Sequence, residues 1–141
     1  MPISDVSKHE WEEWRPGTWS RMWTSQMNGA EHARTGEQWH APTIGAPNHW
    51  HPYEEHLLFT DGTVEVFLDG ETTVMQSPFS VIIPPKVHHG FTNVGGSPAH
   101  LIVAVSAPIH ETNYLDDPGV VTKEYEVEKE GIRHREELAS E

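Results

Sequence analysis

The 141-residue chain has no cysteine, and it has few basic residues, with nine Lys and Arg against 22 Asp and Glu. Without cysteine there can be no disulfide framework, thiol nucleophile or cysteine-ligated zinc site. The formal charge of −13 at pH 7, with no local basic cluster, argues against nucleic acid as a partner. No apolar run approaches about 18 residues, so we expect neither a membrane span nor a membrane partner.

The first residues also lack the basic flank and apolar stretch of a secretory signal, and we therefore expect a cytoplasmic protein. Histidine, in contrast, is abundant. Eleven histidines are spread through the sequence, whereas an expression tag would place them together. All six tryptophans lie within the first fifty residues.

Short β-rich segments, separated by glycine and proline, fill the middle of the chain. Residues 63–68 alternate between polar and apolar side chains, as in a β-strand. Asp69-Gly70 is typical of a tight hairpin turn before residues 72–75. Residues 100–105 form a further apolar segment. This pattern predicts an all-β sandwich or barrel in a single domain spanning residues 18–120. Residues 1–17 are expected to form an extension and residues 121–141 an acidic tail, with helices possible only near residues 7–14 and 129–138.

The chemistry-bearing residues are concentrated in two segments. His49 and His51 are two positions apart, so on an extended strand both imidazoles project from one face. Glu55 has the same parity and could add a carboxylate to them. Two imidazoles and a carboxylate make a mixed nitrogen and oxygen site, suited to Fe, Mn, Co, Ni or Zn. About forty residues later, His88 and His89 follow the proline pair at 84 and 85.

The order and spacing of these residues resemble the two motifs of the cupin superfamily. The first motif is matched by His49, His51, Glu55 and Gly62. The second is matched by Pro84, His89 and Asn93. Lys86 and Pro78 stand where that motif has glycines, and Gly45 lies closer to His49 than the usual leading glycine does. These positions shape turns, so the departures concern loop conformation and not metal ligation.

The resemblance implies a cupin-type double-stranded β-helix, which is a jelly-roll barrel, and one divalent transition metal per chain. The implied ligands are His49, His51, Glu55 and His89, with coordination positions left open for substrate or dioxygen. Fe(II) is favoured, and Mn, Ni, Co and Zn are possible. His88 competes with His89 and Glu54 competes with Glu55, but the motif spacing favours His89 and Glu55.

Further residues are candidates for the pocket around the metal. Leu57 and Phe59 share the parity of Glu55, so we expect them inside the barrel. Trp39, His40 and Phe91 flank the expected mouth, where packing is the simpler interpretation of each. The remaining candidates are acid/base residues, His100 on the strand beginning there and Glu54 beside the ligands.

Three functions are compatible with such a site. The leading hypothesis is an Fe(II)-type dioxygenase that acts on a small metal-chelating substrate of enolic, diketone or catechol-like structure. The alternatives are a non-redox isomerase, cyclase or lyase acting on a sugar acid or other carbonyl compound, and a non-enzymatic binder of small ligands with a structural metal.

The tryptophan cluster of Trp11, Trp14, Trp19 and Trp23 bears on the oligomeric state. Because aromatic residues mark interface cores and cupin amino-terminal strands often pair between subunits, we also expect a homodimer formed through these strands and this cluster.

Overall fold

The computed structural model describes residues 3–108, 110–115 and 121–124. Within these residues the chain forms twelve β-strands and two short 3-10 helices, Val6–Lys8 and Gln26–Asn28. The strands are β1 (Glu12–Arg15), β2 (Thr18–Thr24), β3 (Arg34–His40), β4 (Gly45–Trp50), β5 (Glu55–Asp61), β6 (Thr63–Leu68), β7 (Glu71–Gln76), β8 (Phe79–Ile83), β9 (His89–Asn93), β10 (Ala99–Val105), β11 (His110–Tyr114) and β12 (Val121–Glu124).

The strands form two six-stranded sheets whose paired neighbours are antiparallel. One sheet has the order β1-β2-β3-β10-β5-β8, and the other has the order β12-β11-β4-β9-β6-β7. Strands consecutive in sequence repeatedly lie in different sheets, which is the arrangement of a jelly roll. The predicted all-β jelly-roll fold is therefore confirmed.

The core lies between the sheets and is built by alternation along each strand. In β5, Glu55, Leu57 and Phe59 are buried, while the residues between them are more exposed. Phe59 is 1% exposed and stacks on Phe79 with ring centroids 4.7 Å apart. Leu101 of β10 is completely buried in the same cluster. Each large apolar side chain buried in this way contributes about 1.5–3 kcal/mol to folding.

The hairpin predicted at Asp69-Gly70 joins β6 to β7. Both residues have positive φ, 50° at Asp69 and 85° at Gly70. Two consecutive positive φ angles match the right-handed twist of the flanking strands, which explains why an Asp-Gly pair occupies this turn.

Both ends of the chain differ from the expectation of a barrel with separate extensions. The predicted helix at residues 7–14 is a single 3-10 turn followed by β1, which pairs with β2 at the edge of one sheet. Residues 121–124, at the start of the predicted tail, form β12 and pair with β11. The predicted helix at residues 129–138 lies outside the described residues. Within the described part of the chain, no helix is long and apolar enough to cross a membrane.

Candidate metal centre

Four side chains from three strands and one loop meet inside the barrel. His49 lies near the end of β4, directly opposite His89 on the neighbouring strand β9. His51 follows β4, and Glu55 begins β5 in the other sheet. All four side chains are buried, and their ligand atoms lie within 4.8 Å of one another, so this quartet could hold a metal ion.

Backbone carbonyls fix the orientation of all three imidazoles. Each Nδ1 lies at hydrogen-bond distance from a carbonyl oxygen: 2.6 Å for His49 and Pro47, 2.6 Å for His51 and Glu111, and 2.9 Å for His89 and Val87. Since a carbonyl only accepts, each Nδ1 carries a proton, and in the neutral ring each Nε2 presents its lone pair to the centre of the quartet. This is the tautomer that a metal-ligating histidine needs.

The donor atoms of the quartet lie close together. The Nε2 atoms of His49 and His51 are 3.1 Å apart. Oε1 of Glu55 lies 3.0 Å from Nε2 of His89 and 3.4 Å from Nε2 of His51. Lone pairs facing each other at these distances repel, and either a proton or a metal cation relieves the repulsion. Three imidazoles and a carboxylate are a donor set that suits divalent transition metals.

Burial and the charges of neighbouring side chains together shift the pKa values of Glu55, His51 and His49. Burial alone would raise the pKa of Glu55, but the charges and hydrogen bonds of His51 and His89 hold it well below its usual range. Burial also opposes protonation of His51, yet the Glu55 carboxylate outweighs it and raises the pKa of His51. Burial, followed by the charges of His51 and His89, lowers the pKa of His49 far below its ordinary value. The carboxylate therefore stays ionised in this site, as ligation requires.

Two backbone features bring the strands of the quartet together. Lys86, which replaces a motif glycine, adopts a φ of 68° in the left-handed region and donates its N–H to the His51 carbonyl at 2.7 Å. Lysine accepts at some energetic cost the conformation that glycine would adopt freely. Gly45 begins β4 so close to β9 that a Cβ atom there would overlap the carbonyl of Phe91. Close approach of β4 and β9 places His49 opposite His89.

The quartet lies in the wall of a cavity inside the barrel. Leu57 and Phe91, both predicted pocket residues, line this cavity. Phe59 does not line it and lies in the core against Phe79. Trp39, the fourth predicted pocket residue, points to the outside of the sheet, where its ring contacts His100 at 4.5 Å between centroids.

Comparison with known proteins identifies the family. Residues 35–105, about half of the chain, match the family described as Cupin domain. The chain belongs to the cupin family. Polyketide synthase CurC from Streptomyces cyaneus is 30% identical over 117 residues, which cover 81% of this chain and 76% of that protein.

Solved structures agree with this cupin fold. The polyketide cyclase RemF from Streptomyces resistomycificus has a TM-score of 0.69 at 21% identity, covering 84% of this chain and 89% of that chain. An RmlC-like cupin from Shewanella frigidimarina NCIMB 400 has a TM-score of 0.64 at 20% identity, covering 74% of this chain and 89% of that chain. At these identities the two likenesses show the fold.

His100 does not reach the cavity of the cupin. It lies on the opposite face of β10 from the buried Leu101, which belongs to the core. Its Nε2 donates to Oε1 of Glu37 at 2.8 Å, and its Nδ1 lies 2.6 Å from Oγ1 of Thr60. The expectation that His100 faces the pocket is therefore corrected, because strand alternation turns it outward. Its predicted acid/base role has no geometric support.

Glu54 is also outside the site. Its carboxylate is half exposed and lies 2.9 Å from Nε2 of His56 on the outer side of β5. Of the competing pairs, Glu55 and His89 join the quartet, whereas His88 is exposed. Motif spacing therefore distinguished the two members of the quartet from their sequence neighbours.

Several cavity residues were not predicted from the sequence. They come from β1, β2, β3 and β11, and they include Trp14, Arg15, Ser20, Met22, Arg34, Gln38, His110, Thr112 and Tyr114. For β3 the sequence did contain a signal. Gly36 and Gln38 alternate in step with His40, which the sequence placed at the mouth of the pocket, so they could have been predicted on the same face. The contribution of β1 had no such signal, since the sequence was compatible with a helix over residues 7–14.

Proposed function

We propose that this cupin is a metal-dependent enzyme that closes a ring in a poly-β-carbonyl substrate without redox chemistry. The observation that carries the proposal is the quartet of three imidazoles and one carboxylate in the wall of an internal cavity. The substrate class is suggested by the similarity to the polyketide synthase CurC over most of the chain. The polyketide cyclase RemF, which has the same fold, supports the choice of reaction.

A divalent ion held by the quartet would supply Lewis acidity, drawing electron density from two neighbouring carbonyl oxygens and making the CH₂ between them more acidic. The protein's own contribution is orientation. Hydrogen bonds from Nδ1 to backbone carbonyls hold the three rings in fixed planes, so the quartet has one geometry before substrate arrives. Ring closure then forms a carbon–carbon bond between this carbon and a carbonyl carbon further along the same chain. The proton lost from the CH₂ ends on the oxygen of the attacked carbonyl, so the product is an isomer of the substrate, and loss of that hydroxyl as water can follow.

The cavity suits a partly apolar substrate rather than a sugar. Leu57, Phe91 and Val103 form an apolar part of the wall beside the quartet. Ser20, Gln38 and Arg15 supply polar groups to the same cavity. Apolar walls with a few directed polar groups are typical of small-molecule sites, and they exclude water from a reactive enol.

The Fe(II) dioxygenase remains a second candidate, because the same donor set suits a ferrous ion and can leave positions open for dioxygen. A diketone or enol would bind a ferrous ion through the same pair of oxygens. The two candidates differ in what they consume. The cyclase needs no oxygen and should accept zinc or manganese, whereas the dioxygenase needs iron and one O₂ per turnover.

The deciding experiment uses metal-free protein reloaded separately with zinc, manganese or, without air, ferrous ion. Each form is given a synthetic poly-β-ketone thioester, the products are identified by mass spectrometry, and oxygen is followed with an electrode. We expect a cyclic product, isomeric with the substrate or lighter by one water, from the zinc or manganese form without oxygen uptake. Oxygen consumption equal to substrate loss, with iron alone active, would replace the cyclase by the dioxygenase.

Two adjacent histidines provide a matched control. His89→Ala removes a ligand, while His88→Ala removes an exposed histidine one position away. We expect the first variant to lose both metal and ring closure and the second to retain both. Equal ring closure by the two variants would contradict a role for the quartet.

A further inference from the structure

The side chain of Gln38 is held in place on the cavity wall. Gln38 lies in the middle of β3, opposite Ser20 of β2 and Leu101 of β10, and it lines the same cavity as the quartet. Its Oε1 lies 2.8 Å from Nε2 of His40, two residues further along the same strand. Residues two apart on a strand share a face, which makes this contact possible.

His40 is enclosed and has both ring nitrogens engaged. It is 0% exposed, and Phe91 packs against it edge to face at 4.9 Å between ring centroids. Its Nδ1 lies 3.2 Å from Oγ1 of Thr18, and its backbone carbonyl accepts from Nδ2 of Asn93 at 3.1 Å. Such a ring cannot turn, so it fixes whatever bonds to its Nε2.

The carboxamide oxygen of Gln38 is the end that faces the His40 ring. With Oε1 at the ring, Nε2 of His40 is the donor, and the hydroxyl of Thr18 then donates to Nδ1. The Gln38 oxygen is thus occupied. Its Nε2 makes no hydrogen bond within the described part of the chain and has two protons to donate. A side chain held by one end presents the other as a directed donor.

We propose that Gln38 is a specificity-determining residue whose amide donates to a substrate oxygen lying beyond the two oxygens at the metal, with His40 as its positioning residue. This inference rests on the proposed function, because it concerns a substrate with more than two carbonyl groups. Arg15 lines the same cavity, and its charge acts on His40, so electron-rich oxygen is favoured on this side. Gln38 thereby selects chains with a third carbonyl and orients them for ring closure.

The test compares two probes on cobalt-loaded protein, 2,4-pentanedione and 2,4,6-heptanetrione, whose affinities are read from the cobalt absorption spectrum. Both have the same chelating pair, but the triketone has a third carbonyl. We expect wild-type protein to bind the triketone about threefold to tenfold more tightly than the diketone, as one hydrogen bond provides. Gln38→Met should abolish this preference without changing diketone affinity, and Gln38→Glu should also abolish the preference. The glutamate can still accept from His40, but it presents an acceptor where the amide was a donor.

Gln76→Glu, on the exposed strand β7, is the matched control and should keep the wild-type preference. Cobalt content of each variant shows that the quartet is intact. A triketone preference that persists in both Gln38 variants, or is missing in wild type while the diketone binds, overturns the role of Gln38 and leaves the proposed function standing. Failure of both probes to bind the cobalt-loaded wild type overturns the proposed function and this inference together.

Discussion

Protonation of His40 should make the protein acid-sensitive in a predictable pH range. Burial is the main cause that lowers the pKa of this ring to about 3, and the nearby charge of Arg15 acts in the same direction. The other groups in contact with it, Thr18, Gln38 and Phe91, are uncharged. In the unfolded chain the same imidazole should titrate near its ordinary pKa of about 6.5.

The direction of the effect follows from which state binds the proton. Below about pH 6.5 the unfolded chain gains a proton at His40, whereas the folded protein does not until about pH 3. The contribution of His40 to stability is therefore complete above pH 6.5 and falls as the pH drops. Between pH 7 and pH 5 the loss is about 2 kcal/mol, at roughly 1.4 kcal/mol for each pH unit below 6.5.

Urea unfolding at pH 7 and pH 5, followed by tryptophan fluorescence with a chelator present, measures this loss. In His40→Phe the difference in unfolding free energy between pH 7 and pH 5 should be smaller than in wild type by about 2 kcal/mol. This holds whatever the absolute stability of the variant. His56→Gln, a change on the outer side of β5, should behave like wild type. Equal pH dependence in wild type and His40→Phe would refute the reasoning. Should the variant not fold, nitrogen NMR of wild type decides, because a His40 ring that protonates near pH 6 would refute it equally.

Three other changes test separate parts of the structure. His100→Ala should leave metal content and turnover unchanged, because its ring bonds Glu37 on the outer face; loss of metal would contradict this placement. Phe59→Ala empties a site that is 1% exposed and should lower the unfolding free energy in urea by about 3–5 kcal/mol. A loss below about 1 kcal/mol would contradict tight packing around Phe59, because it would mean that the neighbouring side chains fill the cavity. Trp19→Ala should weaken the predicted homodimer in sedimentation experiments, since Trp19 is 43% exposed beside Trp39; an unchanged dimer would exclude this face.

The four residues of the quartet could be predicted from the sequence because their positions depend on local rules. Strand parity places His49 and His51 on one face, and motif spacing adds Glu55 and His89, all of which the structure brings together. The hairpin at Asp69-Gly70 is equally local, since two neighbouring residues determine its turn.

Other features depend on which face of a strand meets the core, and alternation alone does not settle this. His100 and Leu101 alternate, and only pairing within the sheet shows that Leu101 is the inward residue. The His40 ring that contacts Gln38 on β3 is held by Thr18 on β2 and Phe91 on β9, which are far away in sequence. Likewise, β1 becomes a strand through edge pairing with β2, a contact that the local sequence near residues 7–14 does not reveal.

The tryptophans illustrate the same limit. They do not form one cluster in the structure: Trp14 lines the cavity, whereas Trp19 and Trp39 are paired across β2 and β3 on the outer face. Trp23 donates to Oε2 of Glu37 at 2.7 Å, and Trp11 lies under the guanidinium of Arg21 at 4.6 Å. The homodimer stays a prediction. The exposed Trp19 and Trp39 on this outer face are the residues at which to test it.

The metal content of the protein, purified without a tag, chelator or added metal, tests the central claim most directly. Elemental analysis should find about one divalent transition-metal ion per chain in wild type. It should find almost none in the double variant His49→Ala with His89→Ala, whose circular dichroism should still be that of a folded β protein. Wild-type protein without metal that also fails to take up zinc, manganese or iron on reloading, or a double variant with the wild-type amount, would contradict the assignment of His49, His51, Glu55 and His89 as the metal site.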